Sequence, residues 1–221
     1  TAFHSAIPEH AYTYALPEGI RKQYGFRKFG FHGLSYTYVT KTAADYLGKP
    51  LDKLRMVACH LGTGGSSVTA VERGHSVDTS MGYSPLAGLI MSTRSGDVDP
   101  MLLTYLMANY EVRAEDLETL LNKKSGLIGI SEFSSDLRDI LAKVTGEEAD
   151  PAGMAFDMYC HRLRKYIGGY TMVLGGIDAL IFTDDIGVTN PSVREKVCGR
   201  LGWAGIELDP EANKSTSKDK I

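Results

Sequence analysis

The stretch "LRMVACHLGTGGSSVTAVERGHSVDTS", residues 54–80, constrains this chain more than any other. It begins as an apolar run without polar alternation, the pattern of a strand covered on both faces. It then enters glycines and hydroxyls over residues 60–67, followed by two alternating segments around Arg73-Gly74 that predict a β-hairpin. A second apolar run, "DALIFTDD" at 178–185, predicts another buried strand and follows a long helical pattern over about 152–174. A strand, a hairpin after it and a helix before the next strand predict a mixed α/β sheet flanked by helices. Ligands in such sheets sit outside the carboxyl ends of the strands, which draws residues 60–67 and 184–188 toward one edge.

The rest of the chain fits around that sheet. Short helices are predicted on either side of Pro17, a short strand at "RKFGF" (27–31), and a helix over 34–47 that stops at Gly48. Further helices are predicted over about 100–109, 114–122 and 134–144, and from near Pro191. The loop 81–100, rich in Gly, Ser and Pro, is too long to be idle. From Asp209 the chain turns polar and lysine-rich without periodicity, like a frayed end or an unpartnered strand. The expected organisation is a leading segment over 1–50, an α/β domain over 51–208 and a polar tail over 209–221.

Composition excludes several classes. A net charge of −3 offers no general attraction for nucleic acid or an anionic membrane, and the longest apolar runs are far too short to span a bilayer. The chain opens without a signal-peptide pattern. Cys59, Cys160 and Cys198 are odd in number and widely spaced, which suits buried thiols in a reducing cytosol and no disulfide framework or CxxC metal site.

Four stretches carry possible chemistry, each with a plainer reading beside it. The first is "HLGTGG", where His60, Leu61, Gly62, Thr63 and Gly64 form either a phosphate cradle or a simple hairpin turn. The second is "STRSGDVDP": Arg94 either meets a phosphoryl group with its planar fork or braces its loop against Asp97 or Asp99. The third is "YGFHGLSY", in which His32 is a donor to an anionic oxygen or a core histidine bonded to backbone. The fourth is "SSDLRD", where Ser134 or Ser135 caps a helix whose N-terminus could also face a nucleotide. His4 and His161 read as structural, His10 and His75 as exposed. Neither a GxxxxGK[ST] loop nor a GxGxxG fingerprint is present.

These stretches occur together with "TAFH", "YALP", "VDTSMG", "LLNKKSGL.GIS", "LRKYIG.Y", "GG.DALIFT", "VREKVC" and "GIELD". The combination resembles the acetate kinase family, within the superfamily of sugar kinases, heat-shock chaperones and actin. The resemblance implies a ribonuclease-H-like (actin-like ATPase) domain and phosphoryl transfer between ATP and a short-chain carboxylate, with Mg2+ bridging the phosphates. It also implies a cytoplasmic homodimer with no nucleic-acid or membrane partner. Residue by residue it implies catalytic roles for His32 and Arg94. Nucleotide contacts are implied at 60–64, at Asp136, Leu137 and Arg138, and at Asp185, Ile186, Gly187, Val188 and Thr189. No metal ligand is expected within the chain itself.

The departures are specific. Family members are longer, and their aspartate before "TAFH" would precede Thr1, so the chain looks like a nucleotide-binding half that is inactive alone. "GNG" reads "GTG", with the next glycine expected to lengthen the turn; "GTSH" reads "GLSY", so Leu34 and Tyr36 replace a hydroxyl and an imidazole. "GIGEN" reads "DIGVT", and Asp184-Asp185 would repel phosphates unless a cation or a basic group intervenes. A propionate or butyrate kinase is the alternative within enzymes, and a nucleotide-binding module without catalysis the alternative outside them.

Overall fold

Strand β1 (Arg55–Gly62) is the apolar run of the sequence, and six of its eight residues are buried. Side chains alternate along a strand, so β1 feeds two cores. Val57, Cys59 and Leu61 face one helical layer, while Met56 and Ala58 face another. The computed structural model describes residues 2–147 and 150–215. Within them β1, β2 (Gly65–Glu72), β3 (His75–Thr79) and β4 (Ala179–Thr183) form one sheet in the order β3-β2-β1-β4. The β1–β2 and β2–β3 pairs are antiparallel and β1–β4 is parallel, so the sheet is mixed, as expected.

A parallel pair needs a crossover, and the whole stretch between β3 and β4 supplies it. After α1 (Glu9–Tyr12), α2 (Glu18–Tyr24) and α3 (Gly33–Leu47), which precede the sheet, the crossover holds α4 (Pro100–Tyr110), α5 (Ala114–Lys123), α6 (Gly126–Ser131), α7 (Leu137–Ala142) and α8 (Pro151–Val173). Helices α9 (Asp184–Thr189), α10 (Pro191–Cys198) and α11 (Pro210–Ser215) follow β4. One face of the sheet packs on α8 through Ala155, Tyr159, Leu163 and Ile167. The other packs on α3 through Tyr36, Val39 and Ala44, joined by Phe3 of the 3-10 turn Ala2–Ala6. All three cysteines are buried free thiols. No described helix is long and apolar enough to cross a membrane.

Several expectations need correction. "RKFGF" is irregular rather than a strand: it bonds to Tyr12 and Gly82, but positive φ at Gly30 (70°) and His32 (60°) breaks the pleat. β4 is only half-buried throughout, because it lies at the edge of the described sheet. The helix expected over 134–144 is shorter, and its cap is Asp136, whose side chain accepts from the Arg138 N–H. His161 lies exposed on α8. Residues from Pro210 form α11, held by Asn213, which accepts from the buried Arg194; residues 216–221 lie outside the described part.

Candidate active site

The parallel register sets His60 opposite Thr183, so the β1–β2 turn and the start of α9 leave the sheet side by side. Gly62 pairs with Gly65, and the turn is therefore Thr63-Gly64 alone, two residues and not the longer one expected. Neither residue has positive φ, so this is not a primed hairpin turn and glycine is not there for backbone conformation. Close approach explains two of the glycines. A Cβ on Gly62 would stand 2.3 Å from Asp184 Oδ2, and one on Gly65 would stand 3.3 Å from Arg94 and 3.6 Å from His32 Nε2. Gly64 has nothing within 4 Å and faces open space.

The acidic pair is not left without partners. Asp184, itself at φ 66°, accepts from His60 Nε2 at 2.9 Å. Asp185 accepts from both the backbone N–H (3.1 Å) and the hydroxyl (3.0 Å) of Thr63. Both carboxylates thus accept from neighbouring donors, though among the described residues no cation stands against them. Burial lowers the His60 pKa, opposed by Asp184 and Asp185.

His32 stands at the N-terminus of α3 in the left-handed region, a conformation a non-glycine residue holds only where its surroundings enforce it. Its ring stacks on His60 with centroids 4.0 Å apart, and its Nδ1 lies 2.8 Å from Ser67 Oγ. Burial, then His60, His4 and Arg94, push its pKa down to about 4, so the ring is neutral near pH 7. His4, structural as expected, donates from Nε2 to the Phe31 carbonyl and accepts at Nδ1 from Ser76 Oγ, and so fixes the residue before His32.

Arg94 is not the brace of its own loop. Asp97 instead accepts from the Gly88 N–H and from Tyr166 OH on α8, and Asp99 caps α4 through the Met101 N–H. Arg162, also on α8, donates to the carbonyls of Gly88 and Asp97, so α8 clasps the neck of the loop. Among the described residues no carboxylate lies within ion-pair distance of Arg94; its one side-chain polar contact is the Met91 sulfur at 3.8 Å. The guanidinium therefore stands beside His32 over Gly65 with its charge unpaired.

Arg94 borders an open cleft of about 810 Å³, lined also by Thr63, Gly64, Lys123 and Asp136. Arg138 forks onto Asp136 at 2.5–3.1 Å and holds that carboxyl below the usual range. The side chains of Leu61, Leu137 and Ile186 belong to the core, so these positions can offer a ligand only backbone. Gly187 is buried, Val188 half-buried and Thr189 exposed, its hydroxyl donating to the Asp185 carbonyl. Sequence reading missed Lys123 and Ser67. The lysine gave no signal beyond its pairing with Lys124 in the sequence, and the serine none beyond its place after the glycines. Among the described residues no group of His, Cys, Asp or Glu is arranged to hold a metal ion.

The Acetokinase family model matches residues 1–221. The acetate kinase of Caldicellulosiruptor saccharolyticus is 50% identical over 221 residues, covering 100% of this chain and 55% of that protein. A crystal structure of Porphyromonas gingivalis acetate kinase superposes with a TM-score of 0.95 at 41% identity, covering 100% of this chain and 55% of that one. A propionate kinase from Francisella tularensis superposes at 0.90 with 35% identity, covering 98% and 56%. The chain thus spans about half the length of the relatives it matches and shares their α/β, actin-like ATPase fold. With the mixed sheet, the two loops at its carboxyl edge and a match along the whole of its sequence, this chain belongs to the acetokinase family.

Proposed function

We propose that the protein to which this chain belongs transfers a phosphoryl group reversibly between ATP and acetate, giving acetyl phosphate, with this chain supplying the nucleotide side. The observation that carries this reading is the unpaired Arg94 guanidinium beside the neutral His32, over Gly65 and at the head of the Thr63-Gly64 turn. A carboxylate oxygen attacks the γ-phosphorus, the bond to the β–γ bridging oxygen breaks, and ADP leaves with the electron pair. The carboxylate is already nucleophilic, so no base is needed; positioning and charge stabilisation do the chemistry. Arg94 meets the growing equatorial charge with a planar fork, and His32 adds an N–H donor. The Thr63-Gly64 turn, Asp136 to Arg138 and Asp185 to Thr189 surround the nucleotide.

Magnesium binds through few carboxylates and mostly through substrate phosphates, which fits a site without a ligand cluster of its own. Asp136 is taken up by Arg138 and Asp185 by Thr63, so neither carboxylate is free for the ion, which the phosphates themselves would hold. When bound, it neutralises charge on the phosphates. A cytoplasmic, homodimeric enzyme is part of the same reading.

A longer acyl substrate is the second reading, supported by the likeness to a propionate kinase. The test is acyl phosphate formation by the complete protein with ATP and acetate, propionate or butyrate. Turnover fastest with acetate is expected, and none with any of the three would leave a binding module. The 221-residue chain alone is expected to bind ATP without turnover, since catalysis needs groups from both walls of the cleft.

A further inference from the structure

Behind His32 runs a short chain of hydroxyls. Ser67 Oγ lies 2.8 Å from His32 Nδ1 and 2.5 Å from the phenolic oxygen of Tyr36. Tyr36 and Ser67 are both fully buried, at 0% exposure. Tyr36 OH has Ser67 as its only side-chain partner among the described residues, and Ser67 has only Tyr36 and His32. Each hydroxyl carries one proton, and a buried hydroxyl proton without an acceptor is costly.

Counting protons fixes every direction. The Tyr36 proton can go only to Ser67 Oγ, because the His60 backbone group at the phenolic oxygen is an N–H and itself a donor. The Ser67 proton must then go to an acceptor, and the one in reach is a bare His32 Nδ1. Were Nδ1 protonated, Ser67 would face two donors, and its own proton would have no acceptor. The count closes only when the neutral His32 carries its proton on Nε2. That nitrogen has no hydrogen-bond partner among the described residues and lies against Gly65 beside Arg94.

We propose that Tyr36 is a positioning residue: acting through Ser67, it locks His32 in the tautomer that presents Nε2–H to the transferring phosphoryl group. The functional half of this rests on the phosphotransfer reading above; the tautomer half does not. The phenol suits the task because burial pushes its pKa up, against its hydrogen bonds to Ser67 and the His60 backbone, so it stays a donor across the working range. Tyr36 touches no substrate, and Ser67 passes on the constraint.

Histidine-selective 15N NMR of the complete enzyme reads the tautomer directly. In the unaltered protein His32 should show a protonated Nε2 and an unprotonated Nδ1. In Tyr36→Phe and in Ser67→Ala the two nitrogens should move toward each other as both tautomers become populated. Proton on Nδ1 in the unaltered protein overturns the proposal, and so does an unmoved tautomer in both variants. Should Tyr36→Phe fail to fold, the unaltered protein and Ser67→Ala still decide. In kinetics, Tyr36→Phe should lower kcat roughly three- to tenfold with the KM for ATP within about twofold, less than the ~100-fold cost of deleting a donor outright. A shifted tautomer with unchanged kcat overturns the positioning role. Absence of acyl phosphate formation in the unaltered protein sinks the phosphotransfer reading instead, and the NMR arm still stands or falls by itself.

Discussion

The sheet contains two hairpin turns of two residues, each ending in glycine, and they use that glycine for opposite reasons. At Arg73-Gly74 both residues have positive φ (53° and 80°), the signature of a primed turn that matches strand twist. There the backbone demands glycine, and a Cβ would also press Leu51 at 3.0 Å. At Thr63-Gly64 neither φ is positive, and Gly64 borders empty space in the cleft. On the phosphotransfer reading, its missing side chain leaves a phosphate room to approach. One dipeptide-level cue thus marks a turn set by backbone conformation in one place and, on the phosphotransfer reading, a binding turn in the other.

The largest effect should come from the arginine that overlooks the binding turn. On the phosphotransfer reading, Arg94→Lys in the complete protein keeps the charge but loses the planar fork, so kcat should fall on the order of a hundredfold with ATP affinity and melting temperature nearly unchanged. A near-normal kcat, or a loss explained by a lower melting temperature, would reduce this hairpin to the status of the other. Next, Gly64→Val should fold normally and weaken ATP binding by roughly tenfold or more, because its branched Cβ occupies the approach. Unchanged affinity, measured by calorimetry, would mean that nothing approaches Gly64 after all.

The second hairpin should answer in stability instead. Gly74→Ala forces a side chain into the left-handed region at a cost of about 1 kcal/mol, roughly 2–4 °C of melting temperature for a chain of this size. ATP affinity should not move, and a change there would blur the distinction.

A last effect, silent at neutral pH, is a pH dependence confined to the site. His32 is neutral in the fold down to about pH 4, whereas the unfolded imidazole takes up a proton below 6.5. Between those values the unfolded chain binds more protons, so stability should fall as pH drops from 6.5 toward 4. Melting curves of His32→Gln should show a shallower fall over that window, and identical slopes would argue that the ring is less enclosed than the structure has it.

The two hairpins also show what a sequence can reveal. β1 was legible as an unbroken apolar run, α3 and α8 by their helical pattern, and Arg73-Gly74 because its geometry is local. The half-burial of β4 was not, since an edge is defined by what a strand does not pair with. Helix α9 was hidden because Asp184-Asp185 reads as a loop until His60 and Thr63 are known to receive the carboxylates. The brace of Arg94 by Asp97 or Asp99 failed for the same reason. Nearness in sequence suggested it, while the actual partners of Asp97 include Tyr166, 69 positions away.

That clasp by α8 has a consequence in time. The contacts closing the neck of the Arg94 loop span 65 to 74 positions, against three or four within a helix. Contacts of such span form late, because the loop-closure entropy must be met before they stabilise anything. A newly made chain can therefore complete both hairpins while the arginine is still unplaced, and the charge that defines the site is set only when the long helix docks. Substitutions at Arg162 or Tyr166, remote from the cleft, should then slow the gain of activity during refolding more than the gain of secondary structure.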